Sequence, residues 1–210
     1  MMAPSTTSKE QDRKKIMAQS DDIKVGELKQ VGDDDAAYLI SLIRTIPDFP
    51  KKGILFRDFI PAMSDPRGLA IILDAMKRTL PVKPEDFDLV AGLEARGFLI
   101  GPQLASDLGK GFLPMRKAGK LPEPTYSQEY ALEYGNARIE IEQGCLQQGQ
   151  RVLIVDDLIA TGGSAQAAAR LVEQAGGQVA GFSFVMELNG LDGRKALGAY
   201  PVTCLMNMPA

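Results

Sequence analysis

Histidine is missing from this 210-residue chain, and so is tryptophan. Without imidazole there is no His-based triad and no His-ligated zinc, so proton transfer falls to carboxylates, Lys or Tyr. Only two cysteines occur, Cys145 and Cys204, with no metal-type spacing. They build no secreted disulfide framework, and the expectation is reduced thiols in a cytoplasmic protein. No apolar run approaches the length needed to span a membrane, and the N-terminus lacks the apolar core of a signal peptide. Neither sign of charge dominates: the net charge is −3 and the pI about 5.2. That leaves no basic face for nucleic acid and no polybasic anchor for a membrane. Two common phosphate motifs are also absent, Gly-x-x-x-x-Gly-Lys-Ser/Thr and a Gly-x-Gly-x-x-Gly after a strand. There are no internal repeats.

What is present is enough apolar residue, 45% of the chain, for one full core plus appendages. The chain is organised around Arg151 to Ser164, Arg-Val-Leu-Ile-Val-Asp-Asp-Leu-Ile-Ala-Thr-Gly-Gly-Ser. Val152 to Val155 read as a parallel strand buried on both faces. Two carboxylates, Asp156 and Asp157, stand at its carboxyl end, and a helical run from Ala165 to Ala175 follows. Between them, Ala160 to Ser164 can gather backbone N–H groups at a helix N-terminus, where the dipole favours a phosphate. Gly162 and Gly163 allow the turn and a close ligand approach, and Thr161 and Ser164 add hydroxyls. The acidic pair accepts only, which suits sugar hydroxyls or hydrated Mg²⁺.

This segment resembles the signature of the type I phosphoribosyltransferases. The resemblance implies an α/β, Rossmann-like, mostly parallel sheet flanked by helices, with a small hood and a long flexible lid loop. It also implies the substrate phosphoribosyl pyrophosphate, its 5′-phosphate in the loop Ala160, Thr161, Gly162, Gly163, Ser164 and its ribose diol near Asp156 and Asp157. Mg²⁺ would be carried mainly by the donor, reaching Asp156 and Asp157 through water.

The rest of the chain divides into a polar extension, residues 1–32, and a catalytic domain, residues 33–210. Met1 to Gln30 is polar and charge-mixed, a flexible extension whose sparse Ile16, Met17, Ile23, Val25 and Leu28 could dock on a partner subunit. Asp33 to Asp35 start a helix, and Tyr38, Leu39, Leu42, Ile43 and Ile46 continue it to Pro47. Residues 46–60 carry a short strand or strand-like loop, Ile54 to Ile60. By composition Phe56 is a core aromatic. The stretch Ile46-Pro-Asp-Phe-Pro-Lys-Lys-Gly-Ile-Leu-Phe-Arg-Asp58 nevertheless resembles the hood of the adenine phosphoribosyltransferase branch, which implies that Phe56 stacks on adenine and that backbone around Leu55 and Arg57 reads its edge.

Asp65-Pro66 opens a helix through Leu80. Asp88 to Gly92 is a strand, Gly-Leu-Glu-Ala-Arg-Gly a second loop, and Phe98 to Leu108 a helix stopped by Gly109. A guanidinium in such a turn suits a pyrophosphate. The resemblance assigns Arg96 that role and implies a cis peptide near Glu94–Ala95. Gly111 to Met115 is a strand, and residues 116–134, rich in Gly, Pro, Lys and Tyr, read as a lid loop. Lys117 and Lys120 are placed to neutralise pyrophosphate. Leu132-Glu133-Tyr134-Gly135 resembles the lid of the adenine enzymes, implying proton transfer at the purine by Glu133 and a binding role for Tyr134; by itself Glu133 reads equally as a solvated carboxylate. Ala137 to Glu142 is a half-exposed strand, Gln178 to Met186 a buried one, and Pro201 to Met206 an edge strand. Leu188 is ordinary core on its own and a base contact by the resemblance.

The hypoxanthine-guanine enzymes place an Asp directly before Thr-Gly, where this chain has Ala160. The reading is therefore a Mg²⁺-dependent enzyme forming AMP and pyrophosphate from adenine and phosphoribosyl pyrophosphate, with a homodimer implied by the family. The alternatives are a transferase for another base and a non-catalytic sensor of the same donor.

Overall fold

Within the run Val152–Val155, Val152 and Ile154 are buried on one face of a sheet, Leu153 and Val155 on the other. Two-sided burial is what a parallel strand between layers of helices requires. The structure is a computed structural model and describes residues 22–132 and 135–210. After a 3-10 turn at Glu27–Val31 comes α1 (Asp33–Leu42), then an antiparallel pair, β1 (Arg44–Pro47) and β2 (Leu55–Asp58). The helices α2 (Ile60–Ser64) and α3 (Pro66–Arg78) lead to β3 (Leu89–Leu93), α4 (Gly97–Asp107) and β4 (Gly111–Lys117). A hairpin, β5 (Thr125–Leu132) and β6 (Gly135–Glu142), precedes β7 (Arg151–Ile159) and α5 (Gly163–Gln174). Last come β8 (Gln178–Asn189), the short α6 (Gly193–Ala196) and β9 (Val202–Pro209).

Seven strands form one sheet in the order β5-β6-β4-β3-β7-β8-β9. β4, β3, β7, β8 and β9 are mutually parallel, while β6 runs antiparallel to β4 and β5. Leu39 of α1, Ile72 and Met76 of α3, and Ile100 and Leu104 of α4 pack on the Leu153/Val155 face. Ala165, Ala168, Leu171 and Val172 of α5 pack on the Val152/Ile154 face. The expected three-layer α/β architecture is the observed one. Among the described residues, no helix is long and apolar enough to cross a membrane.

Three local expectations are corrected. The first helix stops at Leu42 rather than Pro47, because Thr45 and Ile46 are β-branched and pair with Arg57 and Phe56 instead. Residues 116–134 are not one long loop. β4 runs on to Lys117 and β5 begins at Thr125, so the Gly-, Pro- and Lys-rich composition is confined to the turn at 118–124. The period-2 spacing of Tyr126, Tyr130 and Leu132, with polar Ser127 and Glu129 between them, is a strand signal that the turn residues masked. The extension is also part of the fold from Asp22 onward. Lys24 pairs antiparallel with Asn207 of β9, and Ile23 and Leu28 are buried in the protein's own core rather than free for a partner. Residues 1–21 lie outside the described residues.

The helix start at Asp65 is as expected, with its carboxylate accepting from the Gly68 N–H at 2.7 Å and Pro66 in first position.

Candidate active site

β3 and β7 are neighbours, but the chain leaves them in opposite directions, from β3 out to β4 and from β7 out to β8. Such a reversal opens a crevice at the carboxyl ends of the two strands. Both glycine-bearing turns lie there, one joining β3 to α4, the other joining β7 to α5. A cleft of about 510 Å³ is lined by Glu94 and Arg96 from the first, by Asp156, Asp157 and residues 160–164 from the second, and by Lys117, Tyr130 and Ile139 from beside it.

The local geometry follows from the residues. Gly162 has φ of 82° and caps α5, whose first-turn N–H groups have no partner within their own helix. Those donors and the hydroxyls of Thr161 and Ser164 make the turn an anion cradle. β7 extends through the acidic pair to Ile159, and Asp157 is buried while its carboxylate meets Arg96 Nε at 2.6 Å. The Asp157 N–H donates to Asp156 Oδ1 at 2.9 Å. Burial and the charge of Asp157 push the Asp156 carboxyl well up from its ordinary value. Burial raises Asp157 too, against the opposing pull of the Arg96 guanidinium. The cleft therefore holds two carboxylates that gain from any cation or hydroxyl brought to them.

Lys117 is placed by Glu94. The Glu94 carboxylate accepts from Arg116 Nε at 3.0 Å and from the Lys117 N–H at 2.9 Å, and the Arg116 bond foremost holds its pKa down. Buried Glu140 accepts from the Gly119 N–H at 2.9 Å, so both ends of the 117–119 turn are fixed by carboxylates. The Glu94–Ala95 peptide is cis, as the resemblance implies.

The structure thus brings together Arg96, Lys117, Asp156, Asp157, Ala160, Thr161, Gly162, Gly163 and Ser164. It places Leu55, Phe56 and Arg57 elsewhere, on β2 of the hood, where Phe56 meets Phe49 edge-on at 5.1 Å between ring centres and Arg57 is buried. Leu188 is half-buried on β8 opposite Met208, and Lys120 is exposed in the turn before β5. None of these five lines the cleft. Glu133 and Tyr134 lie outside the described residues.

Sequence reasoning overlooked Glu94 and Tyr130. The Tyr130 ring packs on the α5 side of the core, and burial, then the charge of Asp156, raise its hydroxyl pKa. The alternation along β5 is the signal that would have found it.

Comparison with known proteins accords with this geometry. A family model for the phosphoribosyl transferase domain matches residues 65–207. Adenine phosphoribosyltransferase of Bifidobacterium animalis subsp. lactis is 63% identical over 189 residues, 90% of this chain and 98% of that protein. The crystal structure of adenine phosphoribosyltransferase from Thermoanaerobacter pseudethanolicus superposes with a TM-score of 0.78 at 48% identity, covering 82% of this chain and 99% of that one. The Saccharomyces cerevisiae enzyme, complexed with an imino-altritol bisphosphate and adenine, gives 0.75 at 44% identity over 82% of this chain and 98% of its own. A cleft of this construction, on a chain that matches adenine phosphoribosyltransferases along almost their entire length, places the protein in the adenine phosphoribosyltransferase family.

Proposed function

We infer that the chain transfers the 5-phosphoribosyl group of phosphoribosyl pyrophosphate to N9 of adenine, forming AMP and releasing pyrophosphate, a purine-salvage reaction. One observation carries this: the anion cradle, the acidic pair and the cations Arg96 and Lys117 rim a single cleft. A ligand with phosphate at one end, a diol in the middle and pyrophosphate at the other matches that order of groups. Ala160 leaves no carboxylate before Thr161 to serve a 6-oxopurine, which favours adenine.

In the reaction, N9 of adenine bonds to C1′ as the bond from C1′ to the pyrophosphate oxygen breaks, and the bonding pair leaves with pyrophosphate. The sugar gains oxocarbenium character on the way, as in other glycosyl transfers. Residues 160–164 hold the 5′-phosphate, while Asp156 and Asp157 hold the ribose hydroxyls and face the developing positive charge. Arg96 and Lys117 receive the departing negative charge. We assign the adenine edge to backbone at Leu55 and Arg57, its faces to Phe56 and Leu188, the N9 proton to Glu133, a substrate contact to Tyr134, and a share of the departing pyrophosphate charge to Lys120; the family resemblance supports the roles of Leu55, Phe56, Arg57, Glu133, Tyr134 and Leu188.

The donor set fits Mg²⁺ held chiefly by the substrate. Among the described residues no group of three or more His, Cys, Asp or Glu could cage a metal, yet the oxygen-donor carboxylates of Asp156 and Asp157 face the cleft side by side. When bound, Mg²⁺ would supply charge neutralisation to the leaving pyrophosphate. Free thiols at Cys145 and Cys204 support a cytoplasmic setting. Exposed Ile46, Phe49, Ile54 and Ile60 on and beside the hood support a homodimer, which light scattering would read.

The deciding assay is pyrophosphate release from phosphoribosyl pyrophosphate with Mg²⁺, offering adenine, hypoxanthine, guanine, orotate or no base. Release with adenine alone, abolished by a chelator, is the expected result. Release with hypoxanthine or guanine instead overturns the base assignment, and donor binding without release for any base overturns the enzyme reading.

A further inference from the structure

The hood stands apart from the sheet as its own two-stranded pair, so something must fix how it presents β2. The Arg57 side chain does so. It is 1% exposed and donates to four oxygens on three other segments. Nη1 meets Asp22 Oδ1 at 3.0 Å and Thr45 Oγ1 at 2.7 Å, while Nη2 meets Asp22 Oδ2 at 2.6 Å and the Pro209 carbonyl at 3.3 Å. Thr45 belongs to β1 and Pro209 to β9, so one guanidinium fastens the hood to the last strand of the main sheet. Among these partners only Asp22 carries charge.

Asp22 is itself held. Two residues later the Lys24 N–H donates to the Asn207 carbonyl at 2.7 Å, and the Asn207 N–H returns a bond to Lys24 at 3.0 Å. Ile23 between them is buried. The end of the polar extension is therefore clipped to the edge of β9 just where its carboxylate can make a two-pronged contact with Arg57. A buried guanidinium needs a fixed anion to keep one geometry.

We propose that Asp22 is a positioning residue for the base: through Arg57 it sets the backbone of Leu55 to Arg57 against the sheet, and so governs affinity for adenine and not for the phosphoribosyl donor. This rests on the adenine-transferase reading above. It gives the ordered end of the extension a task in specificity, acting on the half of the site that the cleft between β3 and β7 does not supply.

The test is steady-state kinetics of the full chain with the base and the donor varied separately. Asp22→Asn keeps the size and one acceptor but removes the charge, and KM for adenine should rise roughly tenfold while kcat and the donor KM stay within about twofold. Asp22→Glu restores the charge and should bring the adenine KM back to within about threefold of the unaltered chain. An unchanged adenine KM in Asp22→Asn overturns the proposal. So does an equal rise in both KM values with a lowered Tm, the mark of general loosening. If Asp22→Asn does not fold, Thr45→Val removes a neutral acceptor and leaves the ion pair. It should raise only the adenine KM, by roughly threefold, and no change there also overturns the proposal. An unaltered chain that releases no pyrophosphate with adenine sinks the activity reading and this inference with it, whereas normal release beside an indifferent Asp22→Asn sinks this inference alone.

Discussion

Asp157→Asn should lower kcat by about two to three orders of magnitude and leave the protein folded. The carboxylate is buried, faces the cleft and is paired with Arg96 at 2.6 Å, so it is fixed where the proposed reaction would develop positive charge on the sugar. Asn keeps the shape and a hydrogen-bonding oxygen but not the charge. Arg96 is 41% exposed and can turn to water, so the lost pair is tolerated by the fold. Turnover against donor KM is the reading. Undiminished kcat removes Asp157 from the chemistry, and a rise in donor KM at constant kcat makes it a ground-state contact only.

Its neighbour should behave differently. The folded state raises the Asp156 pKa, by burial first and then by the charge of Asp157, so the folded chain holds this proton more tightly than the unfolded one. The associated stability is complete below the unfolded carboxylate value near 4 and is lost as pH rises through the folded value. Asp156→Asn removes that loss. In ligand-free protein its Tm should therefore exceed that of the unaltered chain by about 2–4 °C near neutral pH, with the gap closing toward pH 4, while turnover falls. A gap that widens on acidification would have the sign wrong and would discard the assignment.

The second large effect is expected from a residue that does not line the cleft. A Cβ on Gly193 would lie 2.2 Å from the Ala160 carbonyl oxygen and 2.9 Å from Ile159 Cγ1. A Cβ on Gly162 would lie 2.6 Å from the Gly193 carbonyl oxygen. Backbone thus meets backbone where α6 presses on the turn at 160–164, and Gln166 Nε2 ties the two helices by donating to the Ala196 carbonyl at 2.8 Å. Gly193→Ala must push the turn outward. Overpacking of this kind costs about 1–3 kcal/mol, which lowers Tm by several degrees. The donor KM should rise more than about tenfold, with the adenine KM little changed. Gly144→Ala is the control, since Gly144 has φ of 87° but open space around its Cβ position. It should cost some stability and leave both KM values alone. If Gly193→Ala keeps the donor KM of the unaltered chain, the cradle does not depend on α6 for its shape.

How far the sequence spoke depended on how local each feature is. Val152 to Val155, the acidic pair and the turn at 160–164 are contiguous, and periodicity with turn chemistry placed them correctly. In residues 116–134 Gly119, Pro122 and Pro124 outweigh the period-2 spacing of Tyr126, Tyr130 and Leu132, whose strand character becomes decisive only when β6 pairs with it. The first helix was drawn too long for a similar reason: Thr45 and Ile46 choose β2 across a turn of the chain. Gly193, Glu94 and Asp22 were silent. Each acts on a partner distant in sequence or through backbone contact, and nothing in their own neighbourhood announces it.

The register between β3 and β7 has one more consequence. Leu89 to Gly92 lie opposite Val152 to Val155 in a parallel ladder, with both glycine-bearing turns just beyond its end. Neighbouring strands stand about 4.8 Å apart and are held there by their hydrogen bonds. The two turns are therefore mounted on a ruler whose graduation is the strand spacing, with helices clamped to both sides. In the proposed reaction the span between a sugar phosphate and a pyrophosphate would be gauged by the hydrogen-bonded centre of the sheet.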